Sequence, residues 1–99
     1  MLTPRDVYDE LNGISDATVY IEPPENVKMA YPAAVISTVG YRHEYADNRK
    51  YYIYRRIQVT VISRSPDHPL VDYLVRRHQC RHSNHVVRDG LHHDYFTLT

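Results

Sequence analysis

Seven histidines in a chain of 99 residues raise metal binding first. Five of them, His78, His82, His85, His92 and His93, lie close in sequence, with Cys80 among them. A zinc site needs three or four nitrogen or sulfur ligands that converge tetrahedrally. The run His78-x-Cys80-x-His82-x-x-His85 follows no standard ligand spacing, and it would span a helix end and a strand start. His92 and His93 point to opposite faces of an extended chain. These histidines read as surface or subunit-contact residues, one of them packed against a helix, and no metal ligand is assigned. Nucleophilic chemistry fares no better. Cys80 is near His78 and His82 only in sequence, and neither an oxyanion-stabilising group nor an orienting acid accompanies it. Ser63, Ser65 and Ser83 occupy cap and loop contexts. No G-x-S-x-G, P-loop or G-x-G-x-x-G occurs, and paired carboxylates at useful spacing are missing. The expectation is a protein that is not an enzyme, with no catalytic residue and no cofactor.

A second constellation carries recognition rather than reaction. Arg42, Arg49, Lys50, Arg55 and Arg56 interleave with Tyr41, Tyr45, Tyr51, Tyr52 and Tyr54. Bases stack on tyrosine and phosphates pair with arginine, so a small nucleic-acid-binding module is one reading. Glu44 and Asp47 lie inside the same stretch, and the formal net charge of the chain is zero, which argues against a strongly basic binder. A solvated strand face is the plain alternative. The preferred reading is a subunit interface. Tyr52, Tyr54 and Arg56 occupy the strand face that alternation leaves outside the core, and a row of large aromatics is rarely left to water. Tyr45, Asp47, Asn48 and Arg49 at the adjoining turn complete the candidate contact set.

Composition points the same way. Twelve cations balance twelve acids, and the cations are almost all arginine. There are ten tyrosines, one phenylalanine and no tryptophan. Arginine and tyrosine are enriched at interfaces, although a high-GC genome would also favour arginine over lysine. One cysteine excludes an internal disulfide. The polar opening Met1-Leu2-Thr3-Pro4-Arg5-Asp6 does not resemble a signal peptide, and no apolar run approaches a membrane span. The expectation is one soluble domain over residues 1–99 with a modest core, which association with neighbours would help.

The elements that must position these residues follow from local pattern. Thr3-Pro4-Arg5-Asp6 opens a helix whose apolar stripe is Val7, Tyr8 and Leu11, and Gly13 suits a left-handed C-terminal position. Thr18–Ile21 reads as a strand, broken by Pro23-Pro24. Ala33–Val39 reads as another. Tyr51–Ser63 shows the clearest alternation: Tyr51, Ile53, Ile57, Val59 and Val61 fall on one face, and Tyr52, Tyr54, Arg56, Gln58 and Thr60 on the other. It pairs with the preceding strand as a long hairpin across Ala46–Arg49. A two-residue turn places Ala34, Ile36 and Thr38 on the core face, and a three-residue turn places Val35 and Val39 there. A second helix, capped by Ser65 or Asp67, puts Leu70, Val71, Leu74, Val75 and His78 on one face, with Asp72 and Arg76 spaced to pair. Around Asp89-Gly90 a hairpin joins His85–Arg88 to Tyr95–Leu98. The order predicts an α+β domain: a small antiparallel sheet with a long hairpin and two helices packed on one face.

Three stretches in succession carry a family likeness. Tyr31-Pro32-Ala33-Ala34-Val35, then Tyr45-Ala46-Asp47-Asn48, then Val59-Thr60-Val61-Ile62-Ser63-Arg64-Ser65-Pro66-Asp67 resemble the minor tail, or tail terminator, proteins of siphophages and related prophages. The ending Asp89-Gly90-Leu91-His92-His93-Asp94-Tyr95-Phe96-Thr97-Leu98 is similar to theirs as well. The likeness in order and spacing runs from about Lys28 to the C-terminus. It implies a ring, commonly a hexamer, that sits on the last ring of tail-tube protein, stops its polymerisation and joins the tail to the head neck. It implies a virion protein assembled in the host cytoplasm, with genomic DNA passing through the lumen without specific binding. No membrane partner and no cofactor are implied. A related head–tail connector role fits the same likeness. The first helix and the stretch Arg76–His85 match less distinctly.

Overall fold

A computed structural model describes residues 2–14, 17–23, 28, 30–46, 49–65 and 67–99, with backbone only at 46 and 49–52. The elements run α1 (Pro4–Asn12), β1 (Thr18–Ile21), β2 (Ala33–Ala46), β3 (Arg49–Ser63), α2 (Pro69–Arg76), β4 (Cys80–Arg88) and β5 (Leu91–Leu98). The five strands form one sheet in the order β1-β2-β3-β5-β4. The class is α+β, as the pattern of elements predicts. The sheet is mixed rather than purely antiparallel, because β1 pairs with β2 in parallel. The connection from Ile21 to Ala33 is about as long as a parallel crossover needs.

Each helix starts where a side chain meets a free backbone N–H. Thr3 Oγ1 accepts from the Asp6 N–H at 3.1 Å and the Asp6 carboxylate accepts from the Thr3 N–H at 3.0 Å, a reciprocal capping box. Gly13 at the other end has φ −95°, so the left-handed ending expected there does not form. For α2 the cap is His68, whose Nδ1 accepts from the Leu70 N–H at 3.2 Å. Ser65 instead accepts from the Asp67 N–H and closes the turn before the helix. His78 lies beyond the helix, which ends at Arg76.

One face of the sheet holds the core. Val7 and Leu11 of α1 and Leu70 and Leu74 of α2 pack on Ala34, Ile36, Ile57, Val59, Val61, Phe96 and Leu98, all buried. The two-residue register of the long hairpin is the one adopted, since Ala34 pairs with Val61 and Ala46 with Arg49. β4 begins at Cys80, five residues before the expected start, and β5 at Leu91. Asp89 (φ 54°) and Gly90 (φ 74°) both take the positive φ that a tight two-residue hairpin demands. Among the described residues, no helix is long and apolar enough to cross a membrane.

Candidate functional site: a two-stranded arm

β1 pairs with β2 only over Ala33–Ile36, and β5 pairs with β3 only over Ile57–Ser63. Among the described residues, from Gly40 to Ala46 and from Arg49 to Arg56 the two long strands pair only with each other. At roughly 3.3 Å per residue this makes an arm of about 23 Å. The longest dimension of the chain, 50 Å, is consistent with β3 lying along it. A two-stranded ribbon with both edges open is marginally stable in water and presents unpaired backbone on each side.

Two bulges set which side chains the arm shows. Val39 is an extra residue on β2, between the pairs Thr38–Ile57 and Gly40–Arg56. Gly40 there has φ 148°, a conformation side chains with a Cβ rarely adopt. A single extra residue flips the alternation. Beyond it Tyr41 pairs with Arg55 and His43 with Ile53, so these four continue the helix-side face. Arg42 and Glu44 move to the opposite face, beside Tyr54 and Tyr52. A second bulge at Tyr51, on β3, restores the two-residue turn.

The helix-side face of the arm extends past the helices and is left open. Tyr41 is 52% exposed, Tyr45 66% and Ile53 44%. Alternation alone assigns Ile53 to the core; it stands outside because the helix layer stops short of it. Arg55 lies over the Tyr41 ring at 5.7 Å, and the His43 and Tyr45 rings are 6.2 Å apart. Among the described residues, His43 Nδ1 and Arg55 Nε are the buried side-chain polar atoms without a partner, and both belong to this arm.

The candidate contact residues therefore divide. Tyr54 and Arg56 sit on the sheet face away from the helices, Tyr54 half-buried and Arg56 exposed. Tyr45 is on the side of Tyr41, not of Tyr54. The backbone of Tyr52 and Arg49 lies in β3, and their side chains, like all of Asp47 and Asn48, lie outside the described residues. Tyr41, Ile53 and Arg55 were missing from the interface set: a bulge at Val39-Gly40 places Tyr41, whereas Ile53 and Arg55 keep the core parity of β3 and are left open where the helix layer ends.

Charge also separates, although the whole chain is neutral. β2 and β3 carry Arg42, Arg49, Lys50, Arg55 and Arg56 against Glu44 alone. β4 and β5 carry Arg81 and Arg88 against Asp94, which is buried. The strands are thus basic, and the excess acid lies on the remaining segments.

The histidine-rich stretch forms a different arrangement. Asp94, 5% exposed, shares the core parity of Phe96 and Leu98. One of its carboxylate oxygens faces His82 Nε2 at 3.2 Å and His85 Nδ1 at 2.6 Å. His82 and His85 reach one side because Ser83 is a bulge, and both lie within β4 rather than at a helix end and a strand start. His85 Nε2 faces His92 Nδ1 at 3.4 Å. The imidazoles satisfy a carboxylate that would be costly to bury alone. Among the described residues, no group of three or more histidine, cysteine, aspartate or glutamate side chains is arranged to hold a metal ion. Cys80 packs against the core; burial pushes its thiol up, outweighing the pull of the nearby Arg77 guanidinium. Such a thiol is a poor nucleophile near neutral pH.

Comparison with protein-family models, with curated proteins and with solved structures gave no match.

Proposed function

We propose that this chain is a structural subunit of a phage virion that closes into a ring, ends the tail tube and joins it to the head neck. The observation that carries the reading is the arm: a ribbon of about 23 Å with aromatic side chains uncovered and both edges unpaired among the described residues. Such a ribbon gains most by lying on another subunit, and strand addition or insertion beside a neighbour are both open to it. A contact between unlike patches on identical copies generates a ring when the rotation closes. The likeness of Tyr31–Val35, Tyr45–Asn48, Val59–Asp67 and Asp89–Leu98 to tail terminator proteins supports the hexamer, the tube and neck partners and the virion location. Genomic DNA then passes through the lumen without sequence-specific contact.

Light scattering across a concentration series tests assembly. The expected result is a defined oligomer that Tyr41→Ala with Tyr45→Ala dissociates. Parallel substitution of Tyr54→Ala with Arg56→Ala asks whether the opposite face of the arm contributes. Electron microscopy of particles made without this protein tests the role. Overlong or headless tails support termination, whereas normal tails beside DNA-leaking heads replace it with a connector role. Strongly salt-dependent DNA binding by the isolated protein would favour a nucleic-acid module instead.

A further inference from the structure

The arm tip and the start of α2 lie at opposite ends of β3, and the chain after α2 returns to the level of Ile57, where Cys80 pairs with Leu98. β3 starts at the arm tip, runs 15 residues to Ser63, and then leads into α2. At about 3.3 Å per residue, roughly 50 Å of strand separates the tip from that end. The arm continues β2 and β3 outward, so its tip cannot reach the start of α2 within one chain.

Along α2 is an open groove lined by Asp67, His68, Pro69, Val71, Asp72 and Val75. The apolar stripe of α2 is wider than the sheet can cover. Leu70 and Leu74 are buried and Val71 is half-buried, but Val75 is 58% exposed. Two acids flank these valines. Asp72 holds Arg76 at 3.2 Å in an exposed pair, which is weak in water. Asp67 is in no ion pair among the described residues. An apolar strip with acids beside it complements an arm that carries Tyr45, Ile53 and Arg55 on one face.

Resting on the reading of the chain as a ring subunit, we propose that the arm of one copy docks into the α2 groove of the next. Tyr45 and Ile53 cover Val71 and Val75, and the arm's cations meet Asp67 and Asp72. The two patches are different parts of the chain, so a contact made in one direction only is head to tail. Repetition of a head-to-tail contact builds a ring or a filament, whereas two copies that exchange arms reciprocally close as a pair, and a wild-type protein that stops at two chains would overturn the ring.

That property supplies the test. One variant disables the groove (Asp67→Lys with Val75→Lys) and another disables the arm (Tyr45→Glu with Arg55→Glu). Both alter exposed or half-buried surface, and thermal unfolding confirms that each folds. Val75→Ser serves as a milder groove variant. Each disabled protein alone is expected to be a single chain, with self-association weakened at least about tenfold. Mixed one to one, the intact arm of the first meets the intact groove of the second. The mixture should then give a species of two chains and nothing larger. A groove variant that still assembles like the wild type, while the arm variant does not, overturns the α2 groove but leaves ring assembly standing. A mixture that stays as single chains also overturns it. A wild-type protein that is single at every concentration overturns the ring reading itself.

Discussion

The carboxylate of Glu10 on α1 and the guanidinium of Arg77, just past α2, meet edge to edge. Arg77 Nε donates to Oε2 at 2.6 Å and Nη2 donates to Oε1 at 3.2 Å, while the Tyr73 hydroxyl donates to Oε2 at 2.8 Å. This forked, half-buried pair ties the two helices together across the sheet. Glu10→Gln removes the charge and leaves the guanidinium without its partner. The expected loss is about 1–2 kcal/mol, or about 5–15 °C in Tm for a domain of this size. Arg77→Lys should recover only part, because an ammonium cannot make both bonds of the fork. Thermal melts of the three proteins check this.

The same pair predicts a pH dependence with a definite sign. Burial pushes the Glu10 carboxyl up, but the bonds from Arg77 and Tyr73 outweigh it and hold it below its ordinary value of 4.5. A carboxyl lowered in the native state adds stability above its unfolded value, and that contribution is lost as pH falls through the native one. The stability gap between wild type and Glu10→Gln should be flat from neutral pH to about 5 and narrow below about 4. A gap that stays constant to pH ~3 would contradict the assignment.

Asp94 is expected to be sensitive to small changes. Asp94→Asn keeps the shape but replaces an acceptor facing two imidazoles with an amide that must also donate. The cost expected is about 1–3 kcal/mol. Denaturant unfolding should show the midpoint falling with an unchanged slope, since the surface exposed on unfolding is the same. An unaltered midpoint would mean that the two imidazole contacts add nothing to the fold.

Gly40→Ala probes the root of the arm. A Cβ at Gly40 meets nothing within 4 Å, so the penalty is backbone strain at φ 148° rather than a clash. The expected cost is about 1–3 kcal/mol. Relief of the strain by removing the bulge would return Tyr41 and His43 to the opposite face. Faster amide exchange confined to the arm, or loss of assembly with the sheet intact, is the anticipated signature. Protection equal to that of the wild type would show that the bulge does not set the arm.

What the sequence determined by itself is local. The Thr3–Asp6 capping box, the Asp89-Gly90 turn and the Asp72–Arg76 pair depend on residues within a few positions of one another. So does the alternation from Ile57 to Val61, where a single period holds without interruption. The α+β class follows from their order. The burial of Asp94 was not read from the sequence, because the strand expected there began at Tyr95 and gave the acid no parity. Tertiary structure decided the rest, for two physical reasons. A bulge changes the face of every residue after it, and composition hardly marks where the bulges at Val39, Tyr51 and Ser83 fall. Burial also depends on where a second layer ends. Ile53 and Val75 have core-like side chains in the right period, yet both stand exposed, since among the described residues no helix covers the arm and no strand covers that side of α2. Those uncovered residues are where a neighbouring copy is expected.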